Sequence, residues 1–463
     1  MFSSITYKNR RDALRQMLTG GIVLFPGNTD VPFNYPANIY TFRQDSTFMY
    51  YFGLQEPGLA GIIDLDDGSE CLFGNDCTIS DIIWMGKQPS MAKKAVSIMI
   101  SETKPYSDLA SVLQKAQQQG RTVHFLPPYR AETQIHLWEL LGIPPAEQKE
   151  KASEQLIKAV VKMRMVKEPQ EIEQIEAAID ITWRMHCYVM KFARPNMVEL
   201  DLSGAMEGMA LMMGGNVSFP VILSVNGQIL HNHYHGNTLC EGQLLLMDMG
   251  AENAMRYCGD ITRTIPVSER YDERQKTVYN TVLRANLKGI EMSRPGIYYR
   301  DVHLAAARVI ADGLKDVGIM RGNMEDAVAQ GAHALFFPHG LGHAMGLDVH
   351  DMENLGENYV GYDETISRST EFGLRSLRFG RKLETGFVLT VEPGIYFIPA
   401  LIDQWEAEKK NAEFIDYDEL KKYRDFGGIR LEDDILITED GCRVLGEAIP
   451  KTVEEVEAIR QEE

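Results

Sequence analysis

The sequence lacks the long apolar runs that mark a membrane protein or a secreted precursor. No stretch approaches the roughly 18 consecutive apolar residues of a membrane-spanning helix. The first residues, MFSSITYKNRRDALRQML, are basic but contain no apolar core of signal-peptide length. We therefore predict a protein that neither crosses a membrane nor begins with a secretory signal.

The cysteines are few and show no pairing pattern. None has the short spacing of a zinc finger, and in a chain this long they are typical of buried free thiols in a reducing compartment. We therefore predict a cytoplasmic protein with neither a disulfide framework nor a cysteine-based zinc site. The six are Cys71, Cys77, Cys187, Cys240, Cys258 and Cys442.

Positive charge is also scarce, with 47 Lys and Arg against 66 Asp and Glu and a formal net charge of −19. Phosphates would be repelled, so a general binder of nucleic acid or of anionic membranes is excluded. The acidity is compatible with cation binding, although surface solubility explains most acidity of this kind. A hydrophobic content of 44% with 24% charged residues is typical of a folded soluble protein.

A length of 463 residues predicts two or three domains. Residues 1–163 alternate helical and strand patterns, which predicts an α/β domain. This region contains neither a nucleophile elbow nor a phosphate-binding loop, so we expect a structural role, either covering a neighbour's site or forming oligomers. We place the boundary near Arg164, which leaves residues 164–463 as the second domain.

The second region contains two similar segments. Arg194-Pro195 follows one predicted helix, and Arg294-Pro295 follows another that spans Glu273 to Met292. In both segments an aspartate lies seven residues after the arginine and a further helix begins there. The offset of 100 residues indicates an internally duplicated domain. Chance similarity between two turns is the alternative.

A predicted hairpin, LLLMDMGAENAMRYCGDITRT (Leu244 to Thr264), carries two acids. Asp248 ends an apolar strand, and Asp260 opens the β-prone run that follows the turn. Two neighbouring carboxylates in an apolar setting repel each other, so they need a shared proton or a cation. The alternative is a surface hairpin whose acids are solvated.

Further acids and one histidine stand near strand ends later in the chain. A last predicted strand, GIRLEDDILIT, places Arg430, Glu432 and Asp434 on one face by alternation. Four carboxylates and one imidazole can hold two divalent cations about 3.5–4 Å apart. Oxygen-rich ligation favours Mn²⁺ or Mg²⁺, and a histidine also permits Co²⁺, Zn²⁺ or Fe²⁺. The candidate ligands are Asp248, Asp260, His343, Glu392 and Glu432.

The ordered set of motifs resembles the pita-bread metallopeptidases, the family of methionine aminopeptidase, prolidase and aminopeptidase P. The motifs are MDMG…GDITRT, PHGLGHAMGLDVHD, TVEPGIY and GIRLEDD, and together they cover Arg164 to about Pro450. FRQDSTFMYYFGLQEPG in the first region is similar to the N-terminal domain of aminopeptidase P and prolidase. The resemblance implies an α+β pita-bread catalytic domain with pseudo-twofold duplication, preceded by a creatinase-type α/β domain.

The resemblance also implies roles for individual residues. Asp248 and Asp260 would be metal ligands, with Asp260 bridging, and Glu432 would be the second bridge. His343 and Glu392 would complete one metal, and Glu392 would accept the proton of the attacking water and pass it to the leaving amine. His231, His339 and His350 would hydrogen-bond the scissile carbonyl, and Arg430 would pair with a carboxylate.

One spacing departs from the family. The interval from Asp248 to Asp260 is 12 residues, one longer than the resemblance predicts. A slip of one residue within a strand would send one carboxylate to the wrong face, whereas an extra residue in a loop costs little. We place the extra residue in the turn around Asn253 to Arg256 and keep both ligands.

The expected activity is that of an Xaa-Pro aminopeptidase, which releases the residue before a penultimate proline. The expected cofactor is two divalent metal ions, with Mn²⁺ preferred among the metals named above. Prolidase, which cleaves Xaa-Pro dipeptides, is the alternative. Methionine aminopeptidase has no need of such a first domain, and creatinase dispenses with the ligands present here. A non-catalytic peptide-binding protein is a more distant alternative. The resemblance further implies peptide substrates with proline second and a homo-oligomer, either a dimer or a tetramer.

Overall fold

The computed structural model describes residues 1–462, and the chain divides into two units, Met1–Arg164 and Met165–Glu463. All six cysteines are free thiols. Within the described residues, none of the helices combines the length and the apolar character that a membrane crossing requires.

The first unit is built on a five-stranded mixed sheet of order β6-β5-β4-β1-β7. Its helices and strands are α1 (Ser4–Met17), β1 (Ile22–Pro26), β2 (Pro32–Tyr35), β3 (Asn38–Ile39), α2 (Ser46–Phe52), β4 (Ala60–Asp64), β5 (Glu70–Phe73), α3 (Ile79–Met85), α4 (Met91–Ser97), β6 (Glu102–Lys104), α5 (Leu109–Gln118), β7 (Val123–His124), α6 (Ala131–Leu141), α7 (Pro145–Lys151) and α8 (Glu154–Met165), which ends at the boundary. Ile22 and Leu24 of β1 pack with Leu113 of α5 and Leu137 of α6, so apolar helix faces cover one side of the sheet. The α/β prediction is confirmed.

The second unit contains several small sheets, of which two have three strands: β12-β10-β9 and β13-β16-β17. Its elements are α9 (Pro169–Phe192), α10 (Glu199–Met212), β8 (Asn216–Val217), β9 (Ile222–Ser224), β10 (Leu244–Met249), β11 (Ala251–Glu252), β12 (Ile261–Pro266), α11 (Glu273–Met292), α12 (Tyr299–Asp316), α13 (Met324–Ala329), α14 (Glu357–Val360), β13 (Val388–Val391), β14 (Gly394–Tyr396), α15 (Pro399–Glu408), α16 (Tyr417–Leu420), β15 (Gly428–Arg430), β16 (Asp433–Ile437), β17 (Cys442–Val444) and α17 (Val453–Arg460).

The two Arg-Pro turns have the same conformation. Each joins two helices, α9 to α10 and α11 to α12. Asn196 and Gly296, two residues after the respective arginines, both have a left-handed backbone, with φ of 74° and 85°. The amide three residues after the arginine donates to the arginine carbonyl in both copies, at 3.3 and 3.4 Å. Each helix pair then precedes a three-stranded sheet, which supports the predicted duplication.

Within the second unit, a buried arginine connects β12 to the C-terminal segment. Arg263 on β12 is 1% exposed and donates five hydrogen bonds. Its acceptors include the carboxylate of Asp433 at 2.7 Å and the carbonyl of Glu432 at 2.6 Å. Burial acts to raise the pKa of Asp433, but Arg263 and Lys451 hold it well below its usual range. The strand that follows Glu432 is therefore held by a charged network.

Replacing this arginine should destabilise the second unit. We expect Arg263→Met to lower the free energy of unfolding by about 3–5 kcal/mol, because it removes a cation from a buried ion pair and leaves carbonyls without donors. Arg443→Met is the control, since Arg443 pairs with Glu176 at the surface, where such a pair contributes less than about 1 kcal/mol. Urea unfolding measures both changes, and equal losses would contradict the role of Arg263.

Candidate metal centre and peptide pocket

The predicted hairpin of Leu244 to Thr264 forms and keeps both acids on one face. Strands β10 and β12 pair antiparallel, with Asp248 opposite Thr262. Asp260 precedes Thr262 by two residues, so alternation places it on the same face as Asp248. The same register continues to the bridge between Glu252 and Cys258, closer to the turn. The interval of 12 residues is even and the pairing register is continuous, so both carboxylates lie on the same face of the hairpin.

Backbone hydrogen bonds close the loop of the hairpin between the two strands. Asn253 accepts at its carbonyl from the amide of Arg256 and donates its own amide to the carbonyl of Tyr257, both at 2.9 Å. Arg256 has a φ of 68°, in the left-handed region. A left-handed residue closing a short hairpin loop is a common solution for this geometry. The loop is the segment where the sequence predicted an extra residue.

The Gly-Leu-Gly-His segment approaches β13 very closely. A Cβ atom on Gly342 would lie 2.0 Å from the carbonyl oxygen of Thr390, so only glycine fits before His343. The amide of His343 donates to the hydroxyl of Thr390 at 3.2 Å. Its Nδ1 lies 3.1 Å from the carbonyl of Ala344. Because a carbonyl only accepts, Nδ1 carries the proton and Nε2 remains as the nitrogen that can bind a metal.

Glu392 and Glu432 lie where strands pass from one sheet to another. Strands β13 and β16 pair up to Val391 and Asp433, and β14 and β15 pair from Gly394 and Arg430. Both glutamates fall in the gap between these ladders. The predicted continuous last strand is therefore wrong, because it is interrupted at residues 431–432. Pro393 has no amide proton to continue the ladder, and the amide of Glu432 donates instead to the carbonyl of Thr262 at 3.0 Å.

Three predicted ligands converge. Asp260, His343 and Glu432 each offer a ligand atom, and these atoms lie within 4.8 Å of one another. Nε2 of His343 is 3.3 Å from Asp260 Oδ2 and 3.9 Å from Glu392 Oε1. Thr262 donates its hydroxyl to Glu432 Oε2 at 2.6 Å, which orients that carboxylate. All three converging residues are buried.

The electrostatics of this cluster fit a cation. Burial and the neighbouring Glu432 and Asp248 raise the pKa of Asp260 well above its usual value. Burial and the charges of Glu392 and Asp248 do the same for Glu432, and burial raises the pKa of Glu392 to about 8. Asp260 Oδ1 is buried without a hydrogen-bond partner. Repelling carboxylates, an unpartnered oxygen and an imidazole nitrogen are a donor set suited to divalent metal.

Asp248 lies at the same pocket but has a different partner. Arg430 forms an ion pair with Asp248 and also donates to the hydroxyl of Tyr396 at 2.8 Å. The resemblance predicted that Arg430 pairs with a carboxylate, and Asp248 is that carboxylate. His339 Nε2 is 2.8 Å from the same Tyr396 hydroxyl, and its Nδ1 is 2.8 Å from the carbonyl of Gly340. Both ring nitrogens of His339 are therefore engaged within the wall of the pocket.

The cluster opens into a cavity of about 470 Å³, a size typical of small-ligand sites. All five candidate ligands and the three predicted histidines line it. Burial lowers the pKa of His231, and it lowers that of His339 to about 3. The remaining wall beside the cluster is largely apolar and contains Phe219, Pro220, Ile222, Leu230 and Val349. A cavity with an acidic end and an apolar wall can hold a cationic group and a compact apolar ring together.

Sequence reasoning missed two side chains of the pocket, Arg378 and Tyr396, and preferred His231 to its neighbour His233. Arg378 lines it, in a segment for which the sequence predicted no functional residue. His233 lines it as well, beside the predicted His231. Tyr396 links Arg430 to His339. The arginine-rich run GLRSLRFGR was the available signal for Arg378, and Tyr396 stands four residues after Glu392 in TVEPGIY.

Comparisons with known proteins agree with this geometry. Metallopeptidase family M24 matches residues 173–439, and the aminopeptidase P N-terminal domain matches residues 7–124. The Xaa-Pro dipeptidase of Homo sapiens is 34% identical over 451 residues, covering 95% of this chain and 88% of the relative. The Xaa-Pro aminopeptidase of Escherichia coli (strain K12) is 30% identical over 470 residues, covering 98% of this chain and 97% of the relative.

A solved structure extends the match to the whole fold. Zinc-substituted Escherichia coli aminopeptidase P in complex with product superposes with a TM-score of 0.81 at 29% identity, covering 99% of this chain and 98% of that one. The predicted α+β class, a pita-bread domain preceded by an N-terminal domain, is confirmed. This chain therefore belongs to metallopeptidase family M24 and is a metal-dependent hydrolase of its Xaa-Pro peptidase branch.

Proposed function

We propose that this protein is a dinuclear Xaa-Pro aminopeptidase that uses Mn²⁺. The observation that carries the proposal is the convergence of Asp260, His343 and Glu432 at the end of a pocket with an apolar wall. Asp248 and Glu392 line the same pocket, so the full ligand set is Asp248, Asp260, His343, Glu392 and Glu432. Asp260 and Glu432 would hold both ions. The mainly oxygen donors favour Mn²⁺, and Co²⁺, Zn²⁺ or Fe²⁺ also suit the single histidine.

The bound cations would supply hydroxide near neutral pH by lowering the pKa of water. Glu392 would accept the proton of the attacking water and return it to the leaving proline nitrogen. Its position between His343 and His339, at 3.9 and 3.6 Å, keeps it within reach of both the cluster and the pocket. His231 and His350 line the pocket and would donate to the scissile carbonyl as charge develops on its oxygen. His339 orients Tyr396 and the pocket wall.

The remaining features of the pocket suit the ends of an Xaa-Pro peptide. The carboxylates, including Asp248, would attract the free amino terminus of the substrate. The apolar wall of Phe219, Ile222 and Leu230 would receive the proline ring, since burying an apolar ring is favourable and needs no hydrogen-bond partner. We further propose residues 1–163 as the N-terminal domain and residues 164–463 as the catalytic domain. The homo-oligomer and the cytoplasmic location stay predictions.

A second candidate is an Xaa-Pro dipeptidase, and Arg378 is the observation that favours it. A dipeptide presents its terminal carboxylate beside the proline ring, and a guanidinium on the pocket wall can bind it. The charge of Arg378 acts on Glu392 and His231, so it lies close to the reacting groups. The curated human dipeptidase is also somewhat more similar to this chain than the Escherichia coli aminopeptidase.

The two candidates predict different substrates. We expect the Mn²⁺-loaded enzyme to cleave Ala-Pro-Ala with a higher kcat/KM than Ala-Pro. The dipeptidase alternative predicts the reverse order, together with a loss confined to Ala-Pro in Arg378→Met. A charge-assisted hydrogen bond contributes about 1.5–3 kcal/mol, so that loss would be at least tenfold. Arg375→Met is the matched control, because Arg375 is exposed and does not line the pocket.

A further inference from the structure

A single carboxylate joins two side chains of the pocket. Glu353 begins a 3₁₀ turn, Glu353–Leu355, directly after the PHGLGHAMGLDVHD segment. Its Oε2 lies 2.5 Å from Nδ1 of His350. Its Oε1 forms an ion pair with Arg378. His350 and Arg378 both line the peptide pocket, and Glu353 itself lies behind them.

Buried neighbours anchor the backbone of this turn. Met352, which precedes it, has a left-handed φ of 61° and is fully buried. The amide of Leu355 donates to the carbonyl of Met352 at 2.9 Å, and the Leu355 side chain is 3% exposed. The same Nη1 of Arg378 that meets Glu353 also donates to Glu357 at 3.1 Å. The backbone that carries Glu353 is therefore anchored beside His350.

The contact determines which nitrogen of His350 can meet a substrate. Burial acts to raise the pKa of Glu353, but the hydrogen bond from His350 and the charge of Arg378 hold it at about 2. An ionised carboxylate only accepts hydrogen bonds, so Nδ1 of His350 is the donor. Nε2 is then the ring nitrogen left for a substrate.

We propose that Glu353 is a positioning residue that fixes the protonated Nδ1 of His350 and holds Arg378 on the wall of the pocket. Glu353 is not one of the five proposed metal ligands, and their arrangement does not predict its contacts to His350 and Arg378. The inference rests on the proposed function for its effect on catalysis, but the ring state of His350 is a property of the chain itself.

The test compares Glu353→Ala and Glu353→Gln with the wild type, all loaded with Mn²⁺ and assayed on Ala-Pro-Ala. We expect Glu353→Ala to lower kcat about 10- to 100-fold with little change in KM, as is usual when the partner that orients a histidine is lost. Glu353→Gln should lie between the two, because its amide oxygen still accepts from Nδ1 but carries no charge. Metal content should stay at the wild-type level in both.

Glu357→Gln is the matched control. It loses a contact to Arg378 and one to Glu353 but has none to His350, so kcat should stay near the wild-type value if the contact to His350 is the one that matters. A drop in kcat as large as that of Glu353→Ala would overturn the proposal, since the effect would then come from Arg378 or from the turn. A rise in KM at unchanged kcat for Glu353→Ala would overturn it as well.

A second readout does not depend on catalysis. ¹⁵N chemical shifts of the histidine rings in the zinc-loaded protein, assigned with His350→Gln, report which nitrogen is protonated. We expect a protonated Nδ1 at His350 in the wild type and a mixture of tautomers in Glu353→Ala. Identical ring states in both proteins would overturn the inference. Failure of the wild type to cleave Xaa-Pro peptides would instead overturn the proposed function and leave this result standing.

Discussion

Glu392→Gln should lower kcat on an Xaa-Pro peptide by about two to four orders of magnitude, the range expected when a general base is removed. Glu392 follows β13 and lies beside His343 and His339, where it reaches both the cluster and the pocket. Glutamine has nearly the same shape and keeps an oxygen toward the metal, but it cannot accept a proton. Steady-state kinetics together with metal analysis should show normal metal content and a collapsed turnover.

The control for this substitution is Glu384→Gln. Glu384 lies just before β13, is 55% exposed and pairs with Arg381 at the surface. The same chemical change there should leave kcat near the wild-type value. Near-normal turnover of Glu392→Gln, with its metal bound, would contradict the assignment of Glu392 as the base. Loss of the metal would mean that Glu392 acts chiefly as a ligand.

Asp260→Asn should abolish metal binding and activity together. Asp260 is the carboxylate closest to His343 Nε2, and the proposed bridging role gives it contacts to both metals. Metal supplies several kcal/mol of transition-state stabilisation, and each 1.36 kcal/mol is tenfold in rate, so we expect a loss of at least about a thousandfold in kcat/KM. Metal content per chain and kcat/KM measure the two effects.

The same variant should be more heat-stable than the wild type when both are free of metal. Asp260 is buried near Glu432 and Asp248, whose charges repel it, and its Oδ1 has no partner. Removing its charge relieves that repulsion. Asp312→Asn is the control, since Asp312 is half-exposed and pairs with Arg308 on α12. A lower melting temperature for metal-free Asp260→Asn than for the metal-free wild type would contradict the claim that repulsion among these acids destabilises the protein.

The site could be predicted from the sequence wherever a local rule determines the geometry. Alternation along paired strands places Asp248 and Asp260 on one face once the extra residue is assigned to the turn. The Arg-Pro repeat likewise predicts two equivalent turns, and Asn196 and Gly296 share their unusual backbone. Such features depend on neighbours in the chain or on a repeat that can be read directly.

The remaining features depend on contacts between distant segments. Pairing of β13 with β16 and of β14 with β15 interrupts the last strand at Glu432, and alternation alone cannot reveal that break. Arg378 reaches Glu353 across 25 residues. Tyr396 meets His339 across 57 residues. Periodicity carries no information about these pairs, so sequence reasoning missed Arg378, Glu353 and Tyr396.

The most direct test of the central claim is a titration of the metal-free protein with Mn²⁺, following alanine release from Ala-Pro-Ala while native mass spectrometry counts the bound ions. A dinuclear Xaa-Pro aminopeptidase predicts that the metal-free protein is inactive and that the rate rises until two ions are bound per chain. Alanine release without metal, saturation at a single ion, or no release when two ions are bound would contradict it.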